Sequence, residues 1–151
     1  MRIVVALDER RGETPLARVP DMLAVHGAEV ILTHVLDTGG REEWERAAGR
    51  HLLRPGPPRQ GEDRMRTADR SAGERILAAA TAATDGWGAA RVEARLLEGS
   101  PKERIRALLD AEGADVLVVF VHGHEVGPKS IHKEARFLID HAPCSVLVLK
   151  G

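Results

Sequence analysis

Between positions 122 and 132 the chain gathers groups that bind ions: His122, His124, Glu125, Lys129, Ser130 and His132. Three imidazoles with a carboxylate suit zinc or another borderline metal. One candidate is therefore a metal site on His122, His124 and His132. The plainer reading is a set of exposed loop histidines, because adjacent loop side chains converge only when the backbone is fixed. Gly127-Pro128-Lys129-Ser130 looks superficially like a phosphate loop, but the G-x4-G-K-[ST] spacing fails. Gly123 and Gly127 are too close, and Pro128 has no N–H to give a phosphate. Lys129 and Ser130 ahead of a helix can still hold an anion loosely. Acid and base candidates exist (Asp8, His122, Glu125), but there is no G-x-S-x-G elbow and no arrangement that assigns a reaction. The one cysteine, Cys144, opens an apolar run and reads as a small packed hydrophobe. His34, inside a strand pattern, reads as a core residue, and His141 as structural.

These groups need a scaffold, and the pattern around them supplies one. Val116 to Val121 is an unbroken apolar run, as in a parallel strand buried on both faces. After the loop, Ile131, Ala135, Leu138 and Ile139 repeat at helical spacing behind Ser130, with a stop near His141 ahead of Pro143. Ser145 to Leu149 is a second strand. Strand, loop, helix and parallel strand make a right-handed crossover, and ligands of open α/β sheets bind at the carboxyl ends of such strands.

The rest of the chain keeps that rhythm. Arg2 to Leu7 is a buried strand. Thr14 and Pro15 read as N-cap and first helical residue, with Leu16, Val19, Leu23 and His26 on one face. Gly27 stops that helix, and Pro20 kinks it or delays its start. Glu29 to Leu36 is a strand. Arg41 to Leu53 could form a short helix, and Arg54 to Gly61, rich in Pro, Gly and Arg, is a loop. A helix runs from about Glu62 to Thr84, then a strand from Val92 to Leu97. Ser100-Pro101-Lys102-Glu103 is a capping box, Ile105, Leu108 and Leu109 are the buried stripe behind it, and Gly113 is the stop. Alternating strands and helices predict one doubly wound α/β domain over 1–151, with a mainly parallel five-stranded sheet and helices on both faces. A Pro/Gly/Arg-rich insertion occupies about 38–66.

Bulk composition narrows the function classes. The 151 residues are 43% hydrophobic and 30% charged, as expected of one folded domain. With 22 basic and 23 acidic residues, net charge −1 and 3% aromatics, no nucleic-acid partner is expected. One cysteine rules out an intrachain disulfide and a multi-cysteine zinc site. No apolar run approaches membrane length, so no membrane partner is expected and a cytoplasmic location is the default expectation.

Five stretches carry a family resemblance. IVVALD, HGAEVILTHVLD, LLEGSPKERI and the pair ADVLVVFVHGH and HAPCSVLVLK resemble, in order and spacing, segments of the universal stress protein family. The resemblance implies strand order 3-2-1-4-5 and a switch point between the first and fourth strands. It also implies a homodimer through the last strand and a role in stress response with an unidentified signalling partner. For a nucleotide it implies Asp8 at the ribose, Val35 at the adenine, Val119 beside them, and Gly123 and Ser130 towards the phosphates. Asp8 is equally readable as a helix cap. ATP-binding members carry G-x2-G-x9-G-[ST] after the fourth strand. Here Phe120 replaces the first glycine, Gly123 matches the second, and the third falls on His132 or Lys133. Two of the three glycine positions are lost, which disfavours both ATP and AMP and leaves the cofactor unknown, although AMP asks less of the loop and can still bind weakly. The expected function is thus a binding or signalling module without tight ATP binding. The alternatives are an ATP- or AMP-binding stress protein with weak ATPase activity, and a metal-binding regulator using the histidine loop.

Overall fold

Five strands form one parallel sheet in the order β3-β2-β1-β4-β5. They are β1 (Arg2–Leu7), β2 (Glu29–Asp37), β3 (Arg91–Gly99), β4 (Val116–Val121) and β5 (Ser145–Lys150). The computed structural model describes residues 1–8, 15–38, 60–121 and 133–150. The helices are α1 (Val19–Met22, entered by the 3-10 turn Pro15–Arg18), α2 (Gln60–Ala83), α3 (Pro101–Glu112) and α4 (Lys133–His141). Among the described residues no helix is long and apolar enough to cross a membrane.

The sheet separates two cores, because alternate residues of a strand face opposite sides. On one face Ile3, Val5 and Leu7 of β1, Leu32 of β2 and Phe120 of β4 pack with Leu16 and Val19, and with Leu77 and Ala80 of α2. On the other, Val4, Ile31, Leu117 and Val119 pack under Ile105, Leu108 and Leu109 of α3 and Leu138 of α4. The expected stripe of α3 is therefore the buried one, and Gly113 ends the helix in the left-handed region at φ 58°. α1 and α2 cover one face and α3 and α4 the other, which is the doubly wound arrangement.

Local expectations failed where tertiary contacts or proline intervened. α1 stops at Met22, and Leu23 is extended, so His26 is exposed and Gly27 lies in the following turn. Pro20 sits in the first turn of a helix only four residues long. Gly27 still uses its freedom: at φ 73° its N–H reaches the Gly88 carbonyl at 2.8 Å, tying this turn to the one before β3. The Ser100 hydroxyl makes no capping bond, although Ser100 is the N-cap and Pro101 follows it. Pro101, at the first helical position, removes one of the unpaired N–H groups of the helix start. α2 begins at Gln60, so the tail of the expected insertion at 38–66 is helical. Thr14 and the expected helix at Arg41 to Leu53 lie outside the described residues, as does the expected loop up to Arg59. In α4 the buried residues are Ala135 and Leu138, with Phe137 half-buried, whereas Ile139 is 38% exposed. The stripe thus turns towards Phe137 and away from Ile139.

The amino ends of the strands are pinned by charge. The Arg2 backbone N–H donates to Asp115 Oδ2 at 2.7 Å, which ties the start of β1 to that of β4. The Arg2 guanidinium donates to Glu29 Oε2 at 2.7 Å and to the Glu112 carbonyl. Arg95 donates to Glu93 Oε1 at 2.6 Å and to Glu112. The hydrogen bond from Arg95 holds the Glu93 carboxyl below its ordinary value of 4.5, with Arg91 adding charge attraction. A depressed carboxyl contributes stability that is present above its unfolded value and is lost as pH falls through the folded value. Acid unfolding followed by circular dichroism should therefore begin below about pH 4.5, and Arg95→Met should move its midpoint to higher pH. An unchanged midpoint would show that the cluster does not contribute.

Candidate functional site

β1 and β4 lie side by side with Ala6 opposite Val119, yet their onward connections cover opposite faces of the sheet. A parallel sheet whose order reverses there leaves a crevice above the carboxyl ends of the two strands. Asp8, the residue after β1, is exposed at this end. Leu7 pairs with His34, so Val35 stands level with Asp8 on the neighbouring strand. Val35 is half-buried and joins the α3-side core. Val119 belongs to the same core and is 4% exposed, so it forms the floor of the crevice on that side. Asp8, Val35 and Val119 are thus brought together at one end of three adjacent strands. Gly123, Ser130 and the histidines His122, His124 and His132 lie outside the described residues. Among the described residues no group of three metal-ligating side chains is present.

Phe120 occupies the position of a motif glycine, and a ring there must either fill the crevice or turn away. It turns away. Phe120 is 8% exposed and packs with Leu7, Leu16 and Leu149 in the core on the α1 and α2 side. The backbone at this position carries a Cβ and a committed ring, and it is no longer the bare peptide that lets a phosphate approach closely.

The sequence placed His34 in the core, and it is 2% exposed. Its contact was not legible: His34 Nδ1 lies 3.0 Å from the Leu7 carbonyl oxygen. A carbonyl only accepts, so Nδ1 carries the proton. Gly73 of α2 lies over the ring, and a Cβ there would come within 3.0 Å of His34 Cδ2 and 2.8 Å of Leu96 Cδ1. An interior helical glycine costs about 1 kcal/mol relative to alanine, and Gly73 in the middle of α2 was the available signal. Cys144 is half-buried and packs on the α3-side core, where burial pushes its thiol up, away from the reactive thiolate. His141 is exposed, and its structural part is local: Nδ1 donates to the Phe137 carbonyl at 2.9 Å and the ring stacks on Phe137 at the end of α4.

The model of the universal stress protein family matches residues 1–150. A solved protein of that family from Burkholderia pseudomallei is 24% identical, over 98% of this chain and 94% of that one, with a TM-score of 0.65. The universal stress protein of Archaeoglobus fulgidus in complex with dAMP is 22% identical over 98% of this chain and 96% of that one, with a TM-score of 0.64. A family protein from Arabidopsis thaliana with AMP bound is 17% identical over 99% and 91%, with a TM-score of 0.62. Likeness at this level carries the fold and the order of its strands.

The packing of Phe120 sets a measurable cost. Phe120→Ala removes a buried ring and should destabilise the fold by about 3–5 kcal/mol in denaturant unfolding. A loss under about 1 kcal/mol would mean that the ring is not part of the core.

Proposed function

Because the chain belongs to the universal stress protein family, we propose that it is a stress-response binding and signalling module whose ligand is an adenine nucleotide of the AMP class. The ligand would sit over the carboxyl ends of β1 and β4, and ATP would bind weakly. The observation that carries this reading is the juxtaposition of Asp8 and Val35 at one level of adjacent strands, above Val119. A carboxylate suits ribose hydroxyls, and a half-buried apolar wall suits a base. Related structures hold AMP and dAMP, nucleotides with a single phosphate. The weak ATP side rests on the lost glycines, with Phe120 at the first position and His132 or Lys133 at the third. A flexible ammonium at Lys133 does not replace fixed backbone donors. Losing two such contacts, at about 1.5–3 kcal/mol each, weakens binding by more than about a hundredfold. No reaction is assigned. Titration calorimetry should find AMP binding that Asp8→Ala abolishes, and an ATP constant no tighter than roughly millimolar. A low-micromolar ATP constant would restore a tight ATP-binding protein.

The partner we propose is a second copy, joined through β5. That strand is the edge of the sheet next to β4, and Val146, Leu147 and Val148 are half-buried within the single chain. An apolar edge with open backbone groups invites pairing, and twofold pairing closes it. Sedimentation should give a dimer at micromolar concentration and a monomer for Val148→Pro, which removes a ladder donor. A monomeric wild type would refute the pairing.

A further inference from the structure

We propose that His34 is a positioning residue that couples α2 to the candidate site. Its Nδ1–H sets the end of β1, and its ring makes that setting depend on how α2 is seated. This inference rests on the reading of Asp8 as a ligand-binding residue and extends it to regulation of the same site.

The chain of contacts is short and continuous. The Leu7 carbonyl that accepts from His34 at 3.0 Å belongs to the peptide unit ending at the Asp8 nitrogen. A peptide is planar, so anchoring that oxygen orients the whole unit and the direction in which the chain leaves β1 for Asp8. The bond is wholly inside the protein, since His34 is 2% exposed, and it is not exchanged for one to bulk water. His34 also occupies the middle of a row across the sheet, with Leu7 on one side and Leu96 on the other. Above that row stands Gly73. A Cβ at Gly73 would meet Leu96 Cδ1 at 2.8 Å, His34 Cδ2 at 3.0 Å and Leu36 Cδ2 at 3.2 Å. α2 thus approaches the imidazole so closely that no side chain fits at Gly73, and on the proposed coupling a shift of α2 towards the sheet is passed to the ring. The seam between α2 and the edge strand β3 gives such a shift a point of entry. Glu74, Leu77, Ala78 and Thr81 line an open groove with Ala94 and Leu96, and Leu96 is one of the residues Gly73 rests on.

A double-mutant cycle in the full chain tests the coupling, with two readouts: the NMR amide signal of Asp8, and AMP affinity by calorimetry. Gly73→Ala should move the Asp8 signal in the wild-type background and move it far less in the His34→Ala background, where the Cβ still meets Leu96 and Leu36 but no ring passes the shift to the Leu7 carbonyl. His34→Ala should weaken AMP by about tenfold, while Val30→Ala, a loss in the same core away from the crevice, should change it by no more than about twofold. His34→Asn places an N–H near the former Nδ1 and should recover most of the affinity, and His34→Val, which has neither the donor nor an atom at the Cδ2 position, serves as the cycle's background if His34→Ala does not fold. Equal movement of the Asp8 signal by Gly73→Ala with and without His34 would overturn the proposal. So would an AMP loss in Val30→Ala as large as in His34→Ala. If the wild type binds no AMP, the nucleotide reading fails by itself, and the Asp8 signal alone still decides the coupling.

Discussion

The pairing of β1 with β4 is the constraint on which the rest of this structure depends. Ile3 to Ala6 run beside Val116 to Val119, joining segments more than a hundred positions apart. Parallel neighbours so distant cannot share a turn, so each must leave the sheet and return by its own crossover. One route goes by α1 to β2, the other by α4 to β5, over opposite faces. The crevice above Asp8 is the gap between those two departures. Burial holds the pairing in place, since Ile3, Val4, Val5, Leu117 and Val118 are fully enclosed, and the bond between the Arg2 N–H and Asp115 fixes its register at the amino end. The two ends of β1 thus have different tasks. Charge clamps the start, and the finish carries Asp8, the residue proposed above to meet a ligand.

A nucleotide site is a division of labour between a wall, a hydroxyl acceptor and a phosphate nest. In the reading proposed above, Val35 and Val119 would be the wall and Asp8 the acceptor, while two motif glycines are absent from the sequence. Phe120 shows what replaced one of them. Its ring is committed to the core on the α1 and α2 side of the sheet. The balance is physically simple: a glycine at this position contributes nothing to the core, and a phenylalanine contributes a large buried area. A reading with a small phosphate load follows from the same balance.

Sequence patterning alone was enough for the β-α alternation, the strands and the α3 stripe. Continuous apolar runs such as VLVVFV and the spacing of Ile105, Leu108 and Leu109 report burial directly, because a period of two or 3.6 is a local property. Strand order came with the family resemblance, since neither composition nor periodicity says which strands are neighbours. Asp8 and Val35 were named as site residues on that same basis, and their equal level at the crevice is a consequence of the β1–β2 register.

Other features were decided only by the tertiary structure. The end of α1 at Met22 and the exposure of Ile139 are settled by what each helix finds to lie against, which a helical repeat does not specify. The direction of the Phe120 ring depended on whether a core pocket existed between Leu7, Leu16 and Leu149, residues from three distant segments. The part played by His34 depended on more still. As a residue type in a strand it is a packed imidazole; the sheet register brings the Leu7 carbonyl to its Nδ1 and Gly73 lets α2 close over it, which is what the proposed positioning role is argued from. Sequence fixes which groups can donate, accept or make room. Only the folded chain decides which of them meet, because each such meeting joins residues whose separation along the chain carries no information about their distance in space.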